Sequence, residues 1–544
     1  MPTDPAPASR NTAVSTFGTA LGPLRRPLFR MLWATWAVAN TCMWMNDVAA
    51  AWLMTSLSHS TVMVALVQTA STLPVFLLGL PSGALADILP RRNWLMATQI
   101  WVAFNAVILS AVMFADAMNP GLLLLLTFGN GIGLALRWPV YSAIIAEVVP
   151  RDELAPALAL NGVAMNLARI VGPIVAGALL ASVGGAWVFA LNAVLSVGAA
   201  LLLLTWKPET PVKMLPGERF VGAMRVGWQY VRQSAPLRTV LLRIATFFLQ
   251  STALLALLPI VALRVPGGGT AGTFTLLLSS MGVGAIAAVL WLPRLRVTMT
   301  RDRLVRDGSL VQAVSMLCVG FAPNQWVAAA LMLFAGAAWI TVANTLAVSA
   351  QVVLPDWVRA RGMSMYQIAL MGGAAAGAAI WGQVAQWTDL QTSLVTAAII
   401  GSLILLLTGR WSIGQEGDVD LTPARILTEP TPAFTIEHDK GPVMVTIEYE
   451  IEPARAPAFF ALMQESRVSR LQKGALSWGL FHDTSDPKRY VEYYLDESWA
   501  EHLRRFDRFT AADADLRERR NAFHVGEAPP KVSRYVAEDI ARRS

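Results

Sequence analysis

Charged residues are scarce in this chain of 544 residues. Asp, Glu, Lys and Arg together make up 15% of it, whereas soluble globular proteins contain about 25%. Hydrophobic residues reach 55%, and the mean hydropathy is +0.49. This balance argues against a wholly soluble protein and favours one that is embedded in a bilayer.

Cysteine and histidine are also rare. The two cysteines, Cys42 and Cys318, show no partner pattern, so neither a disulfide framework nor a cysteine metal site is expected. The five histidines lack metal-ligand spacing. The chain also lacks the Gly-x-x-x-x-Gly-Lys-Ser/Thr loop that cradles nucleotide phosphates. We therefore expect no metal, no cofactor and no transport driven by ATP.

Long apolar runs, by contrast, are abundant. A bilayer crossing takes about 20 predominantly apolar residues, and most of the runs in the first three quarters of the chain are that long. Backbone groups in lipid must be satisfied within the segment, so the runs are predicted to be helices. The ninth is the shortest. The twelve predicted spans are 31–57, 62–86, 94–115, 121–146, 154–182, 185–206, 239–263, 273–292, 307–323, 326–350, 363–386 and 391–409.

The cations between these runs alternate along the chain. Apart from Arg264, every Lys and Arg of the connecting loops follows an even-numbered span. Cationic loops stay on the cytoplasmic side, so the alternation predicts a multi-pass protein of the inner membrane with both termini in the cytoplasm. The same rule accounts for the net charge of +7, and nucleic acid is not expected as a partner. The predicted cytoplasmic cations are Arg91, Arg92, Arg151, Lys207, Lys213, Arg219, Arg225, Arg232, Arg238, Arg294, Arg296, Arg301, Arg303, Arg306, Arg359 and Arg361.

The two halves of the span region fall into register after a shift that brings Gly131 onto Gly336 and Pro150 onto Pro355. Both copies read as a small-residue span, a basic loop headed by proline, and a second small-residue span. The pattern predicts two six-span bundles in the same orientation, which is a parallel repeat. The predicted segments are an N-terminal cytoplasmic disordered stretch (1–24), a first bundle (25–206), a cytoplasmic linker (207–238) and a second bundle (239–410).

The linker between the bundles contains an apolar stripe at helical spacing, with arginines nearby. A helix lying on the cytoplasmic leaflet and a helix packed beneath the bundle both fit this pattern. The stripe consists of Val221, Met224, Trp228 and Val231.

The loop between spans 2 and 3 reads Gly-Ala-Leu-Ala-Asp-Ile-Leu-Pro-Arg-Arg over residues 83–92. It resembles the loop signature of the major facilitator superfamily, Gly-x-Leu-x-Asp-Arg-x-Gly-Arg-Arg. Ile88 and Pro90 stand where that signature has Arg and Gly. The resemblance implies an all-α membrane fold of twelve spans and a set of residues that fasten the inner gate. These are Gly83, Asp87, Arg91 and Arg92.

Span 5 contains Gly172-Pro173 followed by Gly177, which resembles the Gly-Pro motif of exporters in the same superfamily. Residues 137–173 and the Val-Arg-Ala-Arg stretch at 358–361 are similar to a branch of drug and siderophore exporters known as the transmembrane secretion effector group. The resemblance covers about residues 25–410. It implies export of a small amphipathic molecule and leaves the substrate open.

Among the ionisable residues inside the predicted spans, three stand out: Asp47 in span 1, Arg137 in span 4 and Arg169 in span 5. Such side chains are costly in lipid, so each is a functional candidate. Asp47 is predicted to bind a proton or a cationic substrate. Because Arg169 lies at similar depth and spans 1 and 5 are neighbours in the superfamily, a static pair with Asp47 is the alternative. The resemblance implies that Arg137 couples to proton movement, while snorkelling to the headgroups is its alternative role.

A polar, Pro-rich stretch at 411–435 predicts a linker with few contacts between domains. The following strand–helix–strand–strand–helix–strand pattern predicts a soluble ferredoxin-like α+β domain at 436–544. It resembles the dimeric domains of antibiotic-biosynthesis monooxygenases, whose Glu-x-Trp-x-x-His stretch is matched at 497–502. The resemblance implies a homodimer formed sheet against sheet. The domain also contains His482, His502 and His524. They are interpreted as core or surface histidines, and a cofactor site is the alternative.

These patterns together predict a secondary active transporter, not an enzyme. It would export a small amphipathic molecule by alternating access, with protons, the substrate and the lipid bilayer as its partners. One rival is a membrane-anchored enzyme whose chemistry lies in the C-terminal domain. Another is a sensor in which that domain binds a ligand and gates the bundle. The twelve spans favour transport, because a single span would anchor an enzyme.

Overall fold

The computed structural model describes residues 22–88, 90–150, 153–206, 220–413, 420–424 and 432–538. Most of the predicted segments 1–24 and 411–435 lies outside these residues. The first half contains α1 (Pro27–Leu57), α2 (Thr61–Ile88), α3 (Arg91–Phe114), α4 (Pro120–Val148), α5 (Leu154–Ser182) and α6 (Gly185–Leu204). After α7 (Phe220–Gln233), the second half contains α8 (Ala235–Arg264), α9 (Ala271–Thr298), α10 (Arg301–Gly320), α11 (Gln325–Val353), α12 (Asp356–Trp387) and α13 (Leu390–Thr408).

Ten of these helices are long and apolar enough to cross a membrane. The other two of the twelve long helices, α1 and α10, have 31 and 20 residues, so their lower hydropathy reflects polar residues and not short length. Asp47 lies within α1, and α10 opens with charged residues. Several helices begin at a side chain that accepts a hydrogen bond from a free backbone N–H of the first turn. These caps are Asn119, Ser234, Thr270, Thr300, Asn324 and Asp389.

The two halves use the same helix pairs. In the first half α1 packs on α5, α2 on α4 and α3 on α6, and in the second half α8 packs on α12, α9 on α11 and α10 on α13. The equivalent glycines Gly131 and Gly336 explain one of these pairings. A Cβ at Gly131 would lie 2.7 Å from the carbonyl oxygen of Ser71 on α2, and one at Gly336 would overlap the carbonyl oxygen of Met281 on α9. The repeat predicted from the sequence thus reappears as two equivalent close approaches.

The halves contact each other mainly through α2 with α12 and α5 with α9. At the end where α1 turns into α2, the Gln386 side-chain oxygen accepts hydrogen bonds from the Ser60 hydroxyl at 3.2 Å and from the backbone N–H of Thr61 at 3.0 Å. The rings of Trp52 on α1 and Phe274 on α9 stack at 5.8 Å nearby. The two halves are therefore joined at this end of the molecule.

The C-terminal domain contains β1 (Val443–Glu450), α14 (Ala456–Gln472), β2 (Ser477–His482), β3 (Arg489–Asp496), α15 (Trp499–Asp507), α16 (Ala511–Asn521) and β4 (Lys531–Val536). Its strands form one sheet in the order β2-β3-β1-β4, and all neighbouring strands are antiparallel. Alternate residues of β1 are buried, because a period of two places every second side chain on the same face. That face packs on the helices through residues such as Tyr449 and Phe459.

The C-terminal domain docks on α7, contrary to the prediction of few contacts between domains. Arg225 donates a hydrogen bond to the Glu497 carboxylate at 2.6 Å, and the Gln229 amide donates to the carbonyl of Ala475 at 3.2 Å. The guanidinium of Arg508 lies 5.2 Å from the ring centroid of Trp357 at the start of α12. The prediction considered only the composition of the linker, and these contacts come from elements on either side of it.

On its other side, α7 packs against the second half. The hydroxyl of Tyr230 donates to the backbone carbonyl of Val353 at 2.9 Å, and its ring meets Trp357 edge-on at 5.9 Å. These contacts are those of a packing helix, one of the two alternatives left open by the sequence. Trp228, from the predicted stripe, is 61% exposed.

Candidate functional site

Arg169 lies on α5 where the two halves meet. Its Cζ is 4.3 Å from the centroid of the Trp339 ring on α11 and 5.4 Å from that of Trp44 on α1. Its Nε and Nη1 are buried, and within the described part of the chain no acceptor binds them. The structure does not pair Arg169 with Asp47; aromatic faces hold the guanidinium through cation–π contacts instead.

Asp47 lies one helical turn beyond Trp44 on α1. One of its carboxylate oxygens accepts a hydrogen bond from the Ser71 hydroxyl of α2 at 2.8 Å. No salt bridge joins it to a cation among the described residues. A single hydroxyl offsets little of the cost of burying an ionised carboxylate, so the described surroundings of Asp47 compensate little of a negative charge there.

The Gly-Pro motif of α5 permits two close approaches. A Cβ at Gly172 would lie 2.6 Å from the Cβ of Trp44 on α1, and a Cβ at Gly177 would overlap the side chain of Thr275 on α9. The first contact is within one half and the second is between halves. These two contacts pack α5 against α1 and α9 and so determine where Arg169 projects.

Arg137 lies away from the interface between the halves, in the interior of the first half. It is 4% exposed, and its Cζ is 5.4 Å from the centroid of the Trp36 ring. A small cavity beside it is lined by residues that include Cys42, Asn130 and Asn192. Its buried position shows that it does not snorkel to the surface, which was the alternative considered for it.

Only part of the predicted gating loop can be placed. Arg92 donates a hydrogen bond to the carbonyl of Leu204 at the end of α6, at 3.3 Å, and thus ties α3 to α6. Arg91 opens α3. Gly83 lies within α2, and the side chain of Asp87 is outside the part of the chain that the structure describes.

Sequence reasoning missed several residues that join separate elements. The buried Arg243 of α8 forms a 2.6 Å salt bridge with Asp302 of α10 and donates to the carbonyl of Trp411 at 2.7 Å. Arg243 falls inside a predicted span, so the rule used for the other ionisable residues could have found it. Trp339 gave no such signal, because one tryptophan among 19 is not distinguished by spacing.

In the C-terminal domain the space between sheet and helices contains ion pairs. Glu492 is fully buried and accepts hydrogen bonds from Arg470 and from the indole of Trp478, both at 3.0 Å. Burial alone would raise the pKa of Glu492, but Arg470 and Arg520 bring it down to about 2. The carboxylate therefore stays ionised at neutral pH as the centre of a structural cluster.

Of the four histidines of this domain, His482, His502 and His524 form hydrogen bonds through their rings. His502 is 1% exposed, with its Nδ1 2.9 Å from the Asp496 carboxylate and its Nε2 accepting from Arg534 at 3.2 Å. His524 Nδ1 accepts from the backbone N–H of Glu450 at 2.9 Å. The Nε2 of His482 lies 3.1 Å from the carbonyl of Pro487. Among the described residues no group of His, Cys, Asp or Glu has the geometry of a metal site.

Two pseudo-equivalent sets of six helices, with buried charges between and within them, define a membrane transporter of the major facilitator type. The chain matches the family described as transmembrane secretion effector over residues 18–543, and it belongs to that family. The matched stretch includes the C-terminal domain as well as the helices.

Individual proteins show the same relationship. The chain is 24% identical over 285 residues to the staphyloferrin A transporter of Staphylococcus aureus (strain NCTC 8325 / PS 47), covering 51% of this chain and 70% of that protein. It is 31% identical over 130 residues to MdtD of Yersinia pestis (strain Pestoides F), a protein named for multidrug resistance, covering 23% of this chain and 28% of that protein. Both relatives bear names of transport or resistance proteins.

Solved structures with the same fold include a bacterial homologue of the human lysosomal transporter Spinster in an inward-facing conformation. It aligns with a TM-score of 0.54 at 15% identity, over 72% of this chain and 96% of that chain. A D-xylose-proton symporter aligns with a TM-score of 0.55 at 16% identity, over 72% of this chain and 98% of that chain. At such identities the likeness establishes the fold alone.

Proposed function

We propose that the protein is a proton-coupled exporter of a small amphipathic molecule and works by alternating access. The observation that carries this proposal is Asp47, a carboxylate inside α1 whose hydrogen-bond partner is the Ser71 hydroxyl. Such a group can change its protonation state during a cycle at modest cost. The names of the two relatives suggest a siderophore or a drug as the class of cargo.

We further propose the membrane orientation that the loop cations predict. All twelve long helices cross the inner membrane, with both termini in the cytoplasm, and the two bundles comprise residues 25–206 and 239–410. The end at which Gln386 contacts Ser60 then faces outward and is closed. Asp87 latches the cytoplasmic ends of the bundles, and Asp87→Asn lowers transport without lowering the amount of protein in the membrane.

Proton coupling is tested with Asp47→Asn in inverted vesicles, in which export moves a fluorescent substrate from the medium into an acidic lumen. We expect the variant to lose efflux driven by the proton gradient but to keep substrate exchange at equilibrium, because exchange needs no net proton movement. Asp116→Asn, in the exposed connection between α3 and α4, is the matched control. Gradient-driven efflux that survives in Asp47→Asn, or that resists a protonophore in the unaltered protein, would refute the coupling.

The C-terminal domain is proposed to be ferredoxin-like and to join two copies of the chain. Its helices cover one face of the sheet, while the other face exposes Met444, Phe481 and Tyr535, at 37%, 60% and 52%. An apolar sheet face of this kind needs cover, and a second copy supplies a matching one. Phe481→Glu should convert a detergent-solubilised dimer into a monomer, whereas Phe460→Glu, at an exposed position on α14, should not.

The rival enzymatic role for this domain gains no support from its interior. Glu492 and Asp496 are buried in ion pairs with arginines, where a substrate pocket of an oxygenase would need open space. Oxidation of a quinol or polyketide by the full chain, together with no flux of any tested substrate, would favour the anchored enzyme instead.

A further inference from the structure

Arg169 belongs to a group of buried donors at the interface of the two halves. Its Nε and Nη1, the indole Nε1 of Trp339 and the hydroxyl of Ser279 are all buried, and no described residue forms a hydrogen bond with these atoms. Buried donors normally have partners. A set in which donors predominate is suited to a ligand that supplies acceptors.

Ser279 lies on the face of α9 that contacts α5. On α9, Thr275 meets Gly177 and Gly282 meets Ile170 of α5. Ser279 lies between them at helical spacing, four residues after Thr275 and three before Gly282, so all three share one face. The donors therefore come from α5 and α11 and from the α9 face directed at α5, and they combine both halves of the transporter.

The geometry of the guanidinium leaves its edge available. Trp339 and Trp44 contact Arg169 at ring-to-Cζ distances of 4.3 and 5.4 Å. Stacking engages the face of a guanidinium, whereas its N–H groups point outward in the plane and match a carboxylate in bidentate fashion. No described carboxylate forms a salt bridge with Arg169, so its charge remains available to an anion.

We infer that Arg169, flanked by Trp44 and Trp339, forms an anion subsite between the two halves and takes a carboxylate borne on a planar or aromatic body. This inference rests on the proposed transport function and specifies its substrate class. The guanidinium binds the carboxylate, and the indoles cover the apolar body. Because the donors come from both halves, the bound anion would hold the halves together.

The test uses purified full-length protein in detergent, with salicylate as the probe and salicylamide as its neutral counterpart. Binding is followed by quenching of tryptophan fluorescence. We expect salicylate to bind at least about tenfold more tightly than salicylamide, since hydrogen bonds to charged groups contribute that much or more. Arg169→Gln should remove this preference and leave salicylamide binding unchanged, while Arg169→Lys should retain part of it.

Arg410→Gln is the matched control, because Arg410 also lies over a tryptophan, Trp411, at 5.2 Å, but is exposed. It should leave salicylate binding unaltered. A monodisperse peak on size exclusion shows that each variant is folded. If Arg169→Gln fails this criterion, the two probes are compared in Arg169→Lys and Trp339→Phe instead. Equal affinity for both probes in the unaltered protein, or equal loss of both in the Arg169 variants, would overturn the inference.

Vesicle efflux separates this outcome from failure of the proposed function. Gradient-driven efflux of a lipophilic cation, without selective binding of salicylate, would refute the anion subsite and leave the exporter standing. Absence of efflux for cationic, neutral and anionic probes alike would refute the exporter itself.

Discussion

The ion pair between Arg225 and Glu497 allows the strength of docking of the C-terminal domain to be tested by mutation. The two side chains are 30% and 34% exposed, so solvent screening limits the pair to roughly 0.2–1 kcal/mol. The hydrogen bond from Gln229 to Ala475 adds about 1 kcal/mol. Glu497→Gln leaves this hydrogen bond in place and neutralises only the ion pair, so it should raise the undocked population about 1.4- to fivefold, since 1.4 kcal/mol is a factor of about ten.

Hydrogen–deuterium exchange of α7 measures this undocking. Glu497→Arg should raise exchange more than Glu497→Gln, because it places two cations together, and the exchanged pair Arg225→Glu with Glu497→Arg should return it close to the original value. Glu465→Gln removes an exposed pair with Arg519 elsewhere on the domain and should leave α7 unaltered. If the charge-exchanged protein stays as open as Glu497→Arg, the pair does not hold the domain.

Two further perturbations test packing and buried charge. Gly172→Ala should destabilise the transporter by about 1–3 kcal/mol through overpacking against Trp44, whereas Gly162→Ala on the same helix, where a Cβ meets open space, should be neutral or stabilising in a thermal melt. The pKa of Glu492 falls from 4.5 to about 2 on folding, so its stabilisation is present above about pH 4.5 and is lost toward pH 2. This amounts to roughly 3 kcal/mol. Exchange at β3 should rise over that range, less steeply in Glu492→Gln; an equal pH response would refute the assignment.

The sequence predicted the positions of the long helices well, because apolar length and cap residues are local properties. The largest differences at a helix start concern the ninth and eleventh predicted spans: α10 begins at Arg301 instead of residue 307, and α12 begins at Asp356 instead of residue 363. Both helices open with charged residues, which mask a helix in a hydropathy pattern. The strands and helices of the C-terminal domain follow the predicted order along the chain, except that the second predicted helix is divided into α15 and α16. Alternation marked the buried face of β1.

The candidate site was less predictable, because it depends on contacts between distant segments. Asp47 and Arg169 were identified as costly charges, but their partners were not. A sequence places both at similar depth and cannot reveal that α5 rotates Arg169 toward Trp339 of the other half. Likewise, nothing in the polar linker could indicate that Glu497 would meet Arg225.

The docking contacts restrict how the C-terminal domain can take part in transport. The ion pair, the amide hydrogen bond and the cation–π contact all lie on α7 and α12, and α7 is itself bound to the second half through Tyr230. In a rocking motion of the two halves, the domain would travel with the second. A dimer formed through the exposed sheet face would then link the second halves of two copies and leave each first half free to move. Because Arg169 belongs to that first half and Trp339 to the second, the site would still open and close in such a dimer.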